Sequence, residues 1–159
     1  VYSTESRPYI IEKLTKENGI VFHGAVSQKE VNEIIKKSFL VIHTEAFKES
    51  SIRKLEFSIS TKVADLLASG TCILAYGPDD LASIKHLKEN NAAYLIDQKE
   101  KLAEMMKEII SNPTLTKEVS ENAAKTAQKY HNPELVTSVI YNEIFSATEE
   151  RKNNENSLH

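Results

Sequence analysis

Apolar residues in this chain switch between two periods. Leu40-Val41-Ile42, Cys72-Ile73-Leu74-Ala75-Tyr76 and Ala93-Tyr94-Leu95-Ile96 are short, uniformly apolar runs of strand length. Between them, apolar positions recur every three to four residues, as on one face of a helix. Pro8 opens a first such stretch with Tyr9, Ile10 and Leu14, and Ile20-Val21-Phe22 reads as a strand ending at His23-Gly24. Ser27-Gln28-Lys29-Glu30 is a capping box ahead of Val31, Ile34, Ile35 and Phe39. Ser60 caps a central helix with Val63, Leu66 and Leu67 on one face, and Gly70 ends it. Asp79-Asp80 cap a helix carrying Leu81, Ile84 and Leu87. Helices over 99–110 and 115–130 follow, divided at Asn112-Pro113, and Asn132-Pro133 begins a last one with Leu135, Val139 and Ile140. Val1-Tyr2-Ser3 reads as the end of a strand. With no Met in front of it, the chain is expected to be a fragment of something longer.

Uniformly apolar strands alternating with amphipathic helices imply a parallel sheet covered on both faces. The expected fold is α/β: a Rossmann-like three-layer sandwich with a mostly parallel sheet and extra C-terminal helices. Residues 1–147 form the domain, and residues 148–159 are a polar, disordered tail. In such folds ligands sit beyond the carboxyl ends of the strands. Gly24, His43-Thr44-Glu45, Gly77-Pro78 and the start of the Ser60 helix all fall at that edge. The charged, non-periodic stretch 46–57 reads as a functional loop or flap.

Composition narrows the function classes. With 159 residues, 40% hydrophobic and 27% charged, the chain can bury a substantial core as a globular protein. A net charge of −3 gives no electrostatic case for nucleic acid. A single cysteine, Cys72, inside an apolar run, excludes an internal disulfide framework. No apolar segment reaches membrane-span length and no signal peptide opens the chain, so a cytoplasmic protein is expected. The five histidines show no metal-ligand spacing, so no metal is expected. His23 and His43 read as rim residues at strand ends, His86 and His131 as surface groups, and Tyr76 as core.

The chemistry concentrates at Ser60-Thr61-Lys62. A helix N-terminus there offers free backbone N–H groups, two hydroxyls and an ammonium, a set that suits a phosphate or diphosphate. Asp65, one turn on from Lys62, projects from roughly the same side and can accept hydrogen bonds from sugar hydroxyls. Spacing alone favours a second reading: ordinary capping, with Lys62 and Asp65 as a surface ion pair. Neither G-x-x-x-x-G-K-[ST] nor G-x-G-x-x-G is present.

In order along the chain, Val21-Phe22-His23-Gly24-Ala25-Val26, Val41-Ile42-His43-Thr44-Glu45, Phe57-Ser58-Ile59-Ser60-Thr61-Lys62 and Ala68-Ser69-Gly70-Thr71-Cys72-Ile73-Leu74-Ala75-Tyr76-Gly77-Pro78 resemble the C-terminal domain of group 1 glycosyltransferases. These are enzymes of two Rossmann-like domains (GT-B) that build polysaccharides and glycolipids. The resemblance implies that this domain binds a nucleoside-diphosphate sugar and that an N-terminal domain of the same polypeptide holds the acceptor. It implies hexosyl transfer to a hydroxyl, of the retaining type, with no cofactor beyond the donor substrate, and peripheral membrane association only through the other half. By position, Ser60, Thr61 and Lys62 receive the diphosphate, Asp65 stands where an acidic residue meets the ribose, and Gly24 lets backbone approach the donor. Lys62 is the implied catalytic residue at the leaving diphosphate; Glu45 is a second catalytic candidate, which either reaches the donor sugar or is a solvated loop acid. The family's first motif glutamate falls at Phe57, with Glu56 beside it, and its basic residues after the first strand have no counterpart. The isolated chain is expected not to turn over. Two other readings use the same sheet edge: a non-enzymatic flavodoxin-like regulatory or interaction domain, and a sugar-phosphate isomerase domain.

Overall fold

The structure is a computed structural model that describes residues 1–156, with side chains through 146. The chain divides into two compact units, Val1–Ser38 and Phe39–His159.

The first unit holds α1 (Pro8–Thr15) and α2 (Gln28–Lys37). The capping box forms: the Ser27 hydroxyl accepts from the Glu30 N–H, and the Glu30 carboxylate accepts from the Ser27 N–H at 2.8 Å. Ile20-Val21-Phe22 does not form the expected strand. Pairing is confined to one parallel bridge, Tyr2 to Gly24, flanked by Ser3 N–H to Gly24 O and His23 N–H to Val1 O, both 2.8 Å. A strand needs a neighbour along its length, and among the described residues the pairing of this segment is confined to that bridge. Neither helix contains a buried residue.

The second unit carries the sheet. Strands β1 (Leu40–Thr44), β2 (Cys72–Tyr76) and β3 (Tyr94–Ile96) are parallel and lie in the order β1-β2-β3. β2 is central, and Cys72, Ile73, Leu74 and Ala75 are all buried. Successive side chains of a strand point to opposite faces, and the core divides accordingly. Ile73 and Ala75 join one cluster with Val63, Leu67, Leu81, Ile84, Leu87, Ala123 and Ala127. Cys72 and Leu74 join the other with Tyr94, Ile96, Ile109 and Val119. The first face is covered by α4 (Thr61–Ser69), α5 (Ala82–Glu89) and the later turns of α7 (Pro113–Tyr130); the second by α6 (Leu102–Ser111) and the earlier turns of α7. This is the expected Rossmann-like α/β arrangement.

Several boundaries differ from the sequence reading. The stretch expected to be loop contains a short helix, α3 (Glu49–Leu55), whose Ile52 and Leu55 pack on the first core cluster. Asp79 does not cap α5; it pairs with Lys88, and Leu81 holds the cap position. Gly70, at φ +65°, ends α4 in the left-handed conformation that glycine adopts without penalty. The last helix, α8, spans Pro133–Asn156. The expected tail at 148–159 therefore lies outside the described residues except for the backbone of 148–156, which continues α8.

Candidate functional site

Glu45 directly follows β1, and its N–H donates to Tyr76 O at 2.9 Å, carrying the β1–β2 ladder one residue further. Val41, His43 and Glu45 alternate onto the same face, the one that α4 and α5 cover. That spacing brings imidazole and carboxylate together: His43 Nε2 lies 2.9 Å from Glu45 Oε1, with side-chain exposures of only 6% and 11%. Gly77, just past β2, is buried against them. A Cβ on Gly77 would stand 2.9 Å from Glu45 Cβ and 3.1 Å from Ile84 Cδ1. The glycine is there because no space remains for a side chain. The Phe47 and Tyr76 rings meet at 4.8 Å, and half-buried Tyr76 packs on the second core cluster, so it serves the core and the strand end together.

The α4 N-terminus is tied to the same region through α5. Ser60 occupies the cap position with extended backbone (φ −61°, ψ 132°), but its hydroxyl makes no capping bond. Its N–H instead donates to Ser83 Oγ at 3.0 Å, and Ser83 is 1% exposed. Ile84, next to Ser83, is the residue packed beside Gly77. Ser60, Ser83, Ile84, Gly77 and Glu45 thus form one connected path across the carboxyl edge of the sheet. Val63 N–H donates to Ser60 O at 2.9 Å. The Thr61 and Lys62 N–H groups have no partner among the described residues, as the first turn of a helix requires.

Thr61, Lys62 and Asp65 are exposed, and Ser60 is half-buried. Lys62 and Asp65 form no ion pair, and no other residue pairs with Lys62 among the described residues. The ion-pair reading of this turn therefore falls. Gly24 belongs to the first unit, at φ +79°; its carbonyl accepts from Ser3 N–H, and a Cβ there would meet nothing within 4 Å. Glu56 and Phe57 are both exposed, Phe57 at 90%.

Three features escaped the sequence reading. Ser83 lies 23 residues from Ser60, and no local pattern links them. The His43–Glu45 contact carried a readable signal, the i, i+2 spacing on a strand. His86 and His131 are not simple surface groups: their Nε2 atoms lie 2.9 Å apart, joining α5 to the end of α7, with the Tyr130 ring edge-on to His86 at 5.4 Å. Burial holds both imidazoles below the ordinary histidine range, and at His86 the neighbouring His131 adds to the effect while Glu89 opposes it. No group of three or more potential metal ligands occurs among the described residues, and no described helix is long and apolar enough to cross a membrane.

A family model for glycosyl transferase-like proteins matches residues 7–137. Among solved structures, WaaG, a glycosyltransferase involved in lipopolysaccharide biosynthesis, is similar to this chain with a TM-score of 0.57 and 19% identity, over 83% of this chain and 34% of that one. The chain thus spans about a third of the length of that protein, and at this identity the likeness speaks for the fold. A search of curated proteins gives no match. The parallel α/β fold is shared with a solved glycosyltransferase, and with the family model running over residues 7–137 the chain belongs to the glycosyl transferase-like family.

Proposed function

We propose that this domain is the donor-binding half of a two-domain enzyme. It holds a nucleoside-diphosphate sugar whose hexosyl group passes, with retention, to an acceptor hydroxyl in polysaccharide or glycolipid synthesis. The observation that carries the reading is the α4 terminus: two backbone N–H groups without partners, a hydroxyl not used for capping, and an exposed ammonium with no counterion among the described residues. Such a terminus attracts anions through its free amides and the helix dipole.

In this reading Thr61 and Lys62 N–H donate to the distal phosphate, the Ser60 and Thr61 hydroxyls add hydrogen bonds, and the Lys62 ammonium pairs with a phosphate oxygen. Negative charge grows on the leaving diphosphate as the glycosidic bond breaks, and donors already in place stabilise it with little reorganisation. No metal is required for that step. Asp65, one turn along α4, accepts from ribose hydroxyls. Glu45, on the neighbouring strand end, faces the sugar. The acceptor is held by an N-terminal domain of the same polypeptide, the enzyme works in the cytoplasm, and this chain alone does not turn over.

The test is thermal melting with a panel of nucleosides, nucleoside diphosphates and simple sugar phosphates. A nucleoside diphosphate at 100 times its Kd stabilises the fold by about 2.7 kcal/mol, and the bare nucleoside by much less. No stabilisation by any nucleoside diphosphate at millimolar concentration refutes the reading. A preference for a simple sugar phosphate points to an isomerase-type site.

A further inference from the structure

His43 is the one charged-capable side chain of β1 that the sheet buries, at 5% exposure. Packing alone gives no reason for it. Two residues earlier on the same face Val41 fills the equivalent space, and apolar replacements of buried polar pairs are often neutral or stabilising. The pair is also used on one side only. Nε2 meets Oε1, whereas Glu45 Oε2 and His43 Nδ1 have no hydrogen-bond partner among the described residues. Gly77 adds an independent constraint, because even a methyl group there would push on the Glu45 Cβ. Backbone is fixed as well, by the Glu45 N–H bond to Tyr76 O. Every contact therefore restrains this carboxylate while leaving one of its oxygens free at the carboxyl edge of the sheet.

We propose that His43 is a positioning residue: by holding Oε1 of Glu45 it presents Oε2 as an acceptor for a hydroxyl of the donor sugar, so that the pair distinguishes a sugar-bearing nucleotide from the bare diphosphate. This rests on the donor-binding reading above. His43, buried behind Glu45, acts through it and does not itself touch the sugar. Which hydroxyl is read depends on the sugar, so a site of this kind selects hexoses by the hydroxyl that reaches Oε2.

Calorimetry on the full chain separates the two layers. The titrants are uridine, guanosine and adenosine diphosphates and their hexose conjugates. Glu45→Gln is expected to weaken the conjugate roughly 10- to 100-fold, the range for losing a hydrogen bond to a charged group, while the matching diphosphate keeps its affinity. His43→Leu gives the same selective loss. His43→Gln, whose amide nitrogen stands near the position of Nε2, recovers most of it, and the shorter His43→Asn does not. The His43→Leu/Glu45→Gln double variant is no weaker than Glu45→Gln alone, because the two residues act as one. Should His43→Leu fail to fold, the Gln and Asn variants carry the comparison. Equal weakening of diphosphate and conjugate, unchanged binding of the conjugate, or full additivity overturns the role of His43 while the donor site stands. If wild-type chain binds neither ligand, the donor-binding reading itself falls, and this inference with it.

Discussion

Ser83→Ala isolates the contact that holds the α4 terminus in place. The substitution removes one oxygen atom from a residue 1% exposed, so the cavity it leaves is small and the packing cost slight. What remains is the Ser60 N–H, which loses its 3.0 Å partner. A net hydrogen bond contributes about 0.5–1.5 kcal/mol, and leaving a buried donor unsatisfied costs about 1–3 kcal/mol. Ser60 is half-buried, so water recovers part of the loss, and the expected cost is about 1–2 kcal/mol. For a unit of this size that lowers Tm by roughly 3–8 °C. Amide exchange at Ser60 N–H should accelerate by more than the global stability change accounts for, because the lost bond is local. Affinity for nucleoside diphosphates should fall too, since Thr61 and Lys62 are aimed by that anchor. If Ser83→Ala melts like the wild type and leaves Ser60 exchange unaltered, Ser83 does not hold the terminus and the connected path across the sheet edge is broken.

Acidification should destabilise the second unit. His86 and His131 are held below the ordinary value of 6.5 when folded, so unfolding takes up protons. Their contribution is complete above pH 6.5 and is lost as pH falls below it; urea titrations between pH 8 and 5 measure the slope, and His86→Phe combined with His131→Ala should flatten it. Burial pushes the Cys72 thiol up to about 11, at 2% exposure, so it is neither accessible nor a thiolate at neutral pH. Alkylation should therefore be negligible in the native state and follow unfolding in denaturant, and rapid native labelling would contradict the burial of β2.

How much of this was readable beforehand depended on the range of the interaction. β2 and α4 follow from sequence because each is decided locally: β2 is a five-residue apolar run bounded by Gly70 and by Gly77-Pro78, and Gly70 in the left-handed conformation stops the helix. The strand over Ile20-Val21-Phe22 does not form because apolar character does not by itself supply a pairing partner, and among the described residues pairing there is confined to the Tyr2–Gly24 bridge. The helix α3 is hidden because its two packing residues, Ile52 and Leu55, stand among charges and mimic a loop. Ser60 was legible as a cap position, but the use of its N–H was not, since Ser83 is distant in sequence and a single serine in an amphipathic helix carries no signal. The His86–His131 contact spans 45 residues and is invisible for the same reason. Lys62 and Asp65 lie within reach of each other by spacing, yet in the folded chain they stay apart and leave the ammonium open.

The central claim is that the α4 terminus receives a diphosphate, and backbone amide shifts during titration with a nucleoside diphosphate test it most directly. Thr61 and Lys62 N–H should move most, downfield and together, and Lys62→Ala should weaken binding without displacing those shifts to another element. Saturable binding whose largest shifts lie away from residues 60–65, with Thr61 and Lys62 unmoved, would contradict it.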